Sequence, residues 1–218
     1  MLLKNINNNN IIFVHIPKTG GGSLENVLLK NKFKEEDIQE ERKKIHSYKR
    51  KWTQHSCING IIERYGIQNT HYYFKFAFVR NPWDRMVSEY MYIKNHGGCA
   101  CRGNIRKMPK NFEEYIMNNF KCSWREHVSD QYSFIHNSSG EKMVDFVGRF
   151  ENYQEDVDKI MNRIGIRNYD LPNINQTRNL KQKIIKPYWL YYNNDTRKII
   201  EQKYKRDIEA FNYKFEEG

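Results

Sequence analysis

An apolar run near the start of the chain breaks into a glycine cluster and then resumes with helical spacing, and this arrangement most constrains the fold. Residues 11–28 are IIFVHIPKTGGGSLENVL. The β-branched and aromatic beginning is typical of a buried strand, whereas Leu24, Val27 and Leu28 follow the glycines with helical spacing. A glycine loop at a helix N-terminus presents unpaired N–H groups and the positive end of the helix dipole. The segment therefore predicts an anion-binding loop.

A second strand also ends in a candidate anion-binding residue. YYFKFAFV, residues 72–79, is aromatic and β-branched without a breaker, and Arg80 follows it directly. The next segment, NPWDRMVSEYMYIKNHGG, predicts a helix with Asn81 as N-cap and Pro82 at the first helical position. Ligands of parallel sheets bind beyond the carboxyl ends of strands, so we expect the glycine loop and Arg80 to serve one ligand.

Strands alternate with helices along the rest of the chain. KMVDFVGRF predicts another strand, and ENYQEDVDKIMNRIG predicts another amphipathic helix. This alternation predicts an α/β fold with three layers, in which helices flank a mainly parallel central sheet. The length of 218 residues and the absence of a convincing boundary predict a single domain over residues 1–218.

The formal net charge of +11 is compatible with nucleic acid, an anionic membrane surface or small polyanionic ligands. No stretch approaches the roughly 20 apolar residues of a membrane span, and the first strand leaves no room for a signal peptide. We therefore expect a soluble, cytoplasmic chain without a transmembrane segment.

The four cysteines do not have the paired spacing of zinc sites, and we expect no metal. They are Cys57, Cys99, Cys101 and Cys122. Free thiols are expected, and the alternative is a disulfide between the 99/101 pair and Cys122 in an oxidising compartment.

The order of residues in the glycine loop argues against a magnesium–nucleotide site. A nucleoside triphosphatase loop places its lysine and a magnesium-binding hydroxyl after the glycines. Lys18 precedes them here. This order favours a ligand whose charge is neutralised by protein donors alone.

FVHIPKTGGGSL together with FKFAFVRNPWDRMVSEY resembles the sulfotransferases that use 3'-phosphoadenosine 5'-phosphosulfate (PAPS), in particular the carbohydrate sulfotransferase type 2 family. VDFVGRFENYQEDVDKI, LPNINQTR and IEQKYKRDIEAFNYKF extend the resemblance over nearly the whole chain. It implies a P-loop-like sulfotransferase fold and transfer from PAPS to a carbohydrate or glycan hydroxyl, with adenosine 3',5'-bisphosphate (PAP) as product. If a membrane anchor preceded this chain, the Golgi lumen would be the alternative compartment.

The resemblance also implies the donor-binding residues. The 5'-phosphosulfate loop would consist of Lys18, Thr19, Gly20, Gly21, Gly22 and Ser23. Arg80 and Ser88 would hold the 3'-phosphate. Thr177 and Arg178 would contact the nucleotide, with Tyr188 nearby. Family members often carry threonine at the position of Gly22, so one hydroxyl contact is missing here.

Sulfuryl transfer needs a base for the acceptor proton and a cation on the leaving oxygen. Lys18 suits the leaving oxygen, and histidine suits the base because its ordinary pKa lies near neutrality. His55 matches a family histidine and is the first candidate, and His127, which resembles an acceptor-side histidine preceding a glutamine, is the second. His15 is expected to be a packed core residue. Glu25 and Glu89 are further alternatives for the base, although both are expected to serve their helices.

Three other functions remain open. One is a sulfotransferase whose acceptor is a small hydroxylated metabolite, and either kind of acceptor could be anionic. A nucleotide kinase or triphosphatase would need the lysine that is missing after the glycines. A non-catalytic nucleic-acid binder is supported only by the net charge, and we expect no nucleic-acid partner.

Overall fold

The sheet is mainly parallel in the computed structural model, which describes residues 2–3, 10–32, 55–65, 70–95, 108–171 and 186–216. Its strands are β1 (Leu2–Leu3), β2 (Ile11–Val14), β3 (Phe74–Val79) and β4 (Phe146–Arg149), in the order β1-β2-β3-β4. β1 pairs antiparallel with β2, whereas β2, β3 and β4 pair in parallel. The prediction of an α/β fold with a mainly parallel sheet is confirmed.

Helices follow the strands as the sequence predicts. The α-helices in the described residues are α1 (Gly21–Lys32), α2 (Ile58–Tyr65), α3 (Pro82–Asn95), α4 (Phe112–Met117), α5 (Tyr132–Ile135), α6 (Tyr153–Arg163), α7 (Asn194–Lys203) and α8 (Lys205–Phe211). Short 3-10 turns occupy Thr70–Tyr72, Glu126–Val128, Phe150–Asn152 and Tyr188–Tyr191.

The chain divides into two compact units. The sheet unit comprises Met1–Val79 and Ser133–Ile174, and the helical unit comprises Arg80–Tyr132 and Asn175–Gly218. All four strands belong to the sheet unit, while α3, α4, α7 and α8 belong to the helical unit. The expectation of a single domain over residues 1–218 stays a prediction.

The core of the sheet unit is apolar and lies between strands and two helices. Alternate strand residues point to one face of a sheet, so Ile11 and Phe13 of β2 share a face, as do Phe76 and Phe78 of β3. These residues form one buried cluster with α1 and α6, to which the helices contribute Leu24, Val27, Leu28, Val157, Ile160 and Met161. Because β2 and β3 are parallel neighbours, both end at the same edge of the sheet.

In the helical unit, α3 begins at the predicted cap. Asn81 Oδ1 accepts from the N–H of Trp83 at 3.1 Å, and its amide nitrogen donates to the carbonyl of Lys214 at 2.9 Å. A capping side chain satisfies a helix N–H that has no intrahelical partner. Asn81 therefore also ties the start of α3 to the C-terminal segment.

The expectation of free thiols is wrong for Cys122. Cys122 is disulfide-bonded and buried, whereas Cys57 is a free thiol. Cys99 and Cys101 lie outside the described residues. A disulfide depends on the distance between two backbone segments, which the spacing of cysteines along the chain does not report.

Within the described residues, no helix has the length and apolar character needed to cross a membrane. The same residues contain no cluster of three or more histidine, cysteine, aspartate or glutamate side chains that could hold a metal ion.

Candidate active site

The predicted anion-binding loop connects β2 to α1 through two residues with left-handed backbone conformations. Lys18 has φ 67° and Gly20 has φ 85°. The hydroxyl of Thr19, which is fully buried, donates to the carbonyl of Ile16 at 2.9 Å and so closes the turn. The side chain of Thr19 therefore stabilises the loop. A non-glycine residue such as Lys18 at positive φ is uncommon, and such residues cluster at functional sites.

The helix begins directly after this turn. The carbonyl of Gly20 accepts from the N–H groups of Ser23, at 3.1 Å, and Leu24, at 3.4 Å. Gly21 and Gly22 are thus the first two residues of α1, where N–H groups have no intrahelical acceptor. This backbone arrangement is the one expected of an anion-binding helix N-terminus.

Tyr153 supports the loop from α6, a role that no sequence motif predicts. Its phenolic O–H donates to the carbonyl of Gly20 at 2.6 Å. A Cβ on Gly20 would lie 2.7 Å from Cε2 of Tyr153, so the ring also excludes any larger residue there. Burial raises the pKa of Tyr153, which keeps the phenol protonated as a donor. No local pattern marks Tyr153, because it lies 133 residues from Gly20.

His15 packs beneath the same loop. A Cβ built on Gly21 would overlap the imidazole of His15, so this glycine is required by a close contact. His15 Nδ1 lies 3.6 Å from Oε2 of Glu25 on α1, and both residues are buried. The expectation that His15 is buried is confirmed, but it contacts the loop and polar residues and is absent from the apolar cluster.

The contact with His15 also brings His55 to the loop. The two rings meet edge to face with centroids 4.7 Å apart, and His55 Nδ1 lies 3.0 Å from the carbonyl oxygen of His15. A carbonyl oxygen only accepts hydrogen bonds, so Nδ1 of His55 carries the hydrogen. In the neutral imidazole, Nε2 then carries the lone pair, which is the tautomer that a base acting through Nε2 needs.

In the helical unit, polar contacts hold Arg80 at both its backbone and its side chain. Its N–H donates to Oε1 of Gln131 and its carbonyl accepts from Nε2 of Gln131, each at 2.8 Å. Its Nε donates to Oδ2 of Asp84, one turn into α3, at 2.7 Å. Ser88, the other predicted 3'-phosphate ligand, lies on α3 and is buried.

His127 forms a buried pair with Glu89 of α3. The distance from His127 Nδ1 to Glu89 Oε2 is 2.9 Å, and Glu89 has no exposed surface. A carboxylate that accepts from Nδ1 fixes the orientation of the imidazole ring. Trp124, 42% exposed, contacts the His127 ring edge to face at 5.1 Å. Glu89, expected to serve its helix, thus also orients a candidate base.

Arg85 is a second buried charge on α3 that the sequence analysis missed. Its NH2 donates to the carbonyl of Ser129 at 2.6 Å and its NH1 to the carbonyl of His127 at 3.5 Å. Its guanidinium lies 5.2 Å from the ring centre of Tyr204. Arg85 therefore fixes the backbone of the segment that carries His127.

The remaining predicted site residues belong to the C-terminal part of the chain. Thr177 and Arg178 lie outside the described residues. The Tyr188 hydroxyl accepts from the N–H of Glu216 at 2.9 Å. Burial raises the pKa of Tyr188, whose hydroxyl also hydrogen-bonds Asn81. Tyr188 therefore lies beside the residue that follows Arg80.

The chain is similar to known proteins over most of its length. A sequence model described as "Sulfotransferase family" matches residues 5–214. The chain is also 32% identical over 98 residues to an uncharacterized protein of Archaeoglobus fulgidus, an alignment that covers 43% of this chain and 69% of the relative.

Proposed function

The chain belongs to the sulfotransferase family, and on that basis we propose that it transfers a sulfuryl group from PAPS to a hydroxyl of a carbohydrate or glycan. The observation that carries the proposal is the loop between β2 and α1, with Lys18 at positive φ, helix N–H groups at Gly21 and Gly22, and His55 beside it. We assign the 5'-phosphosulfate to residues 18–23 and the 3'-phosphate to Arg80 and Ser88.

In this proposal, Lys18 stabilises the leaving group and His55 accepts the proton of the acceptor hydroxyl. The acceptor oxygen forms a bond to sulfur while the bond from sulfur to the phosphate oxygen breaks, and PAP leaves. The acceptor proton passes to Nε2 of His55, which the His15 carbonyl holds in the required tautomer. The ammonium of Lys18 stabilises the negative charge that develops on the departing phosphate oxygen.

His127 is the second candidate for the base, and its surroundings support a sugar acceptor. The half-exposed ring of Trp124 beside it offers an apolar face next to polar groups, the combination that ligand sites use to orient a substrate. Glu89 orients the imidazole. In this assignment, His127 either takes the acceptor proton itself or contacts the acceptor while His55 takes the proton.

Calorimetric titration with PAP in the absence of metal tests the donor site. We expect Arg80→Ala to weaken PAP binding at least tenfold, because a charge-assisted phosphate contact is lost. Lys18→Ala should leave PAP binding within a few-fold but lower turnover by about a hundredfold or more. The matched controls are Arg167→Ala and Lys30→Ala, which remove the same charges from exposed positions. Binding of ATP with magnesium but not of PAP would refute the proposal.

Single-turnover transfer from PAPS distinguishes the two bases. His55→Ala should reduce transfer by about a hundredfold or more while PAP binding is retained. If His127 is the base, His127→Ala has that effect instead, and Glu89→Gln, which removes the carboxylate from Nδ1, also lowers the rate. Full activity in both histidine variants would exclude both assignments.

A further inference from the structure

Gln131 hydrogen-bonds the backbone of Arg80 and Asp207 hydrogen-bonds Gln131, so these two fully buried residues form a polar clamp. We propose that these two residues are positioning residues for the donor 3'-phosphate: they hold Arg80 in the orientation that binds it. The inference rests on the proposed role of Arg80 in donor binding.

The side-chain amide of Gln131 hydrogen-bonds the backbone of Arg80 through both its oxygen and its nitrogen. Its Oε1 accepts from the N–H of Arg80 and its Nε2 donates to the carbonyl of Arg80, both at 2.8 Å. A glutamine amide is suited to this because it carries an acceptor and donors side by side. β3 ends at Val79, so Gln131 satisfies both backbone groups of the first residue beyond the strand. The direction in which the Arg80 side chain leaves the backbone is thereby fixed.

Asp207 in turn fixes Gln131. Its Oδ2 accepts from the N–H of Gln131 at 2.9 Å and from Nε2 of Gln131 at 3.2 Å, while its Oδ1 accepts from the N–H of Tyr132 at 2.8 Å. Nε2 of Gln131 is thus directed by one contact to Asp207 and one to Arg80. These contacts determine which end of the amide faces each backbone group of Arg80.

The carboxylate of Asp207 has no exposed surface, and burying a charged group costs free energy. Burying an ionisable group disfavours its charged form, and hydrogen bonds and nearby charges must offset that cost. Burial does raise the pKa of Asp207, against the opposing influence of Arg85 and of its two backbone donors. The buried carboxylate is consistent with a requirement for a fixed Gln131 amide.

The clamp acts on an arginine whose side chain is also held. Asp84 accepts from Nε of Arg80 at 2.7 Å, and the side chain of Arg80 is 13% exposed. An arginine held at both backbone and Nε loses less conformational freedom when it binds an anion. Loss of the clamp should therefore weaken contacts to the 3'-phosphate in particular.

The test compares two nucleotides by calorimetry: PAP, and adenosine 5'-phosphosulfate, which lacks the 3'-phosphate. Gln131→Met retains the size of the side chain but removes its hydrogen bonds. We expect PAP to bind about tenfold more weakly or worse, while the affinity for adenosine 5'-phosphosulfate changes less than threefold. Equal losses for both nucleotides, or no loss for PAP, would overturn the inference.

A double variant separates this inference from the proposed function. If Gln131 acts through Arg80, Gln131→Met should have no further effect on PAP affinity in an Arg80→Ala background. If Arg80→Ala alone leaves PAP binding unchanged, the proposed role of Arg80 fails. If Arg80→Ala weakens PAP binding but Gln131→Met does not, only the inference fails.

Two further variants control for folding. Asn193→Ala removes the side chain that caps α7 and should lower stability without changing PAP affinity. Asp207→Asn keeps the shape of the side chain but replaces one acceptor oxygen by a donor. If Gln131→Met does not fold, the affinities for PAP and adenosine 5'-phosphosulfate are compared in Asp207→Asn instead. We expect it to show the same selective loss of PAP binding, and unchanged PAP affinity in Asp207→Asn would contradict the role of Asp207.

Discussion

Gly20 and Gly21 are adjacent in the loop but are glycines for different reasons. Gly20 has a positive φ and lies under the ring of Tyr153. Gly21 leaves no room for a side chain because the imidazole of His15 packs against it. The requirement for glycine at position 20 is partly one of backbone conformation, which sequence patterns can suggest. The requirement at position 21 comes from a contact between the His15 side chain and the backbone.

Gly21→Ala should destabilise the protein and weaken donor binding, because the added methyl group overlaps the His15 ring. Overpacking of this kind costs about 1–3 kcal/mol. The measurement is the free energy of unfolding in urea together with PAP affinity. His15→Ala removes the obstructing ring, so Gly21→Ala should cost less in that background; strictly additive effects would argue against the contact.

Tyr153→Phe should raise the KM for PAPS several-fold, since the hydroxyl that holds the Gly20 carbonyl is lost. The cost in stability should be about 0.5–1.5 kcal/mol, as for a typical hydrogen bond. The matched control is Tyr169→Phe, which removes a hydroxyl that donates to Asp158 from a partly buried ring. An equal effect of both variants on KM would mean that Tyr153 does not act through the loop.

At the scale of elements, α3 carries two buried charged residues that contact the neighbouring segment around His127. Arg85 and Glu89 are four residues apart, so they lie on the same face of the helix. Arg85 donates to the carbonyls of His127 and Ser129, and Glu89 contacts the His127 ring. α3 thus positions the His127 segment through polar contacts as well as apolar packing. Hydrophobic periodicity identifies the helix but does not report this role.

Asp207, on α8, links that helix to the start of α5, and its contribution to stability should depend on pH. Burial raises its folded-state pKa above the ordinary value of 3.8. The folded state therefore binds the proton more tightly than the unfolded state, and the resulting stabilisation is complete below pH 3.8 and lost as pH rises through the folded-state pKa. Relative to Asp207→Asn, which does not titrate, the wild type should lose unfolding free energy as the pH rises above about 4. A difference that stays constant or grows with pH would contradict a raised pKa.

At the scale of the whole molecule, the disulfide at Cys122 adds a covalent constraint to the chain. Without reductant, the denatured protein should titrate fewer than the four thiols present in the sequence, and all four after reduction. Reduction should lower the unfolding free energy by about 2–4 kcal/mol. In Cys122→Ser, reductant should have no such effect. Four titratable thiols before reduction would show that the disulfide is absent.

The sequence predicted the fold class and the loop well because both depend on local patterns. The run from Ile11 to Val14 forms β2, α1 begins at Gly21, and Asn81 caps α3. Strand composition, glycine conformations and capping chemistry act over a few residues. The family resemblance was confirmed over residues 5–214, whereas the roles assigned to individual site residues stay predictions.

The tertiary structure alone decided which side chains support these local features. Gln131 lies 51 residues from Arg80, Glu89 lies 38 from His127, and Tyr153 lies 133 from Gly20. The tertiary structure also decided that Cys122 forms a disulfide, which the cysteine spacing left open. Each contact depends on how separate elements pack, and packing brings together residues that no pattern of a few neighbouring positions relates. The sequence by itself thus determined the three parallel strands, the loop and the starts of α1 and α3, and folding determined what holds the candidate site residues in place.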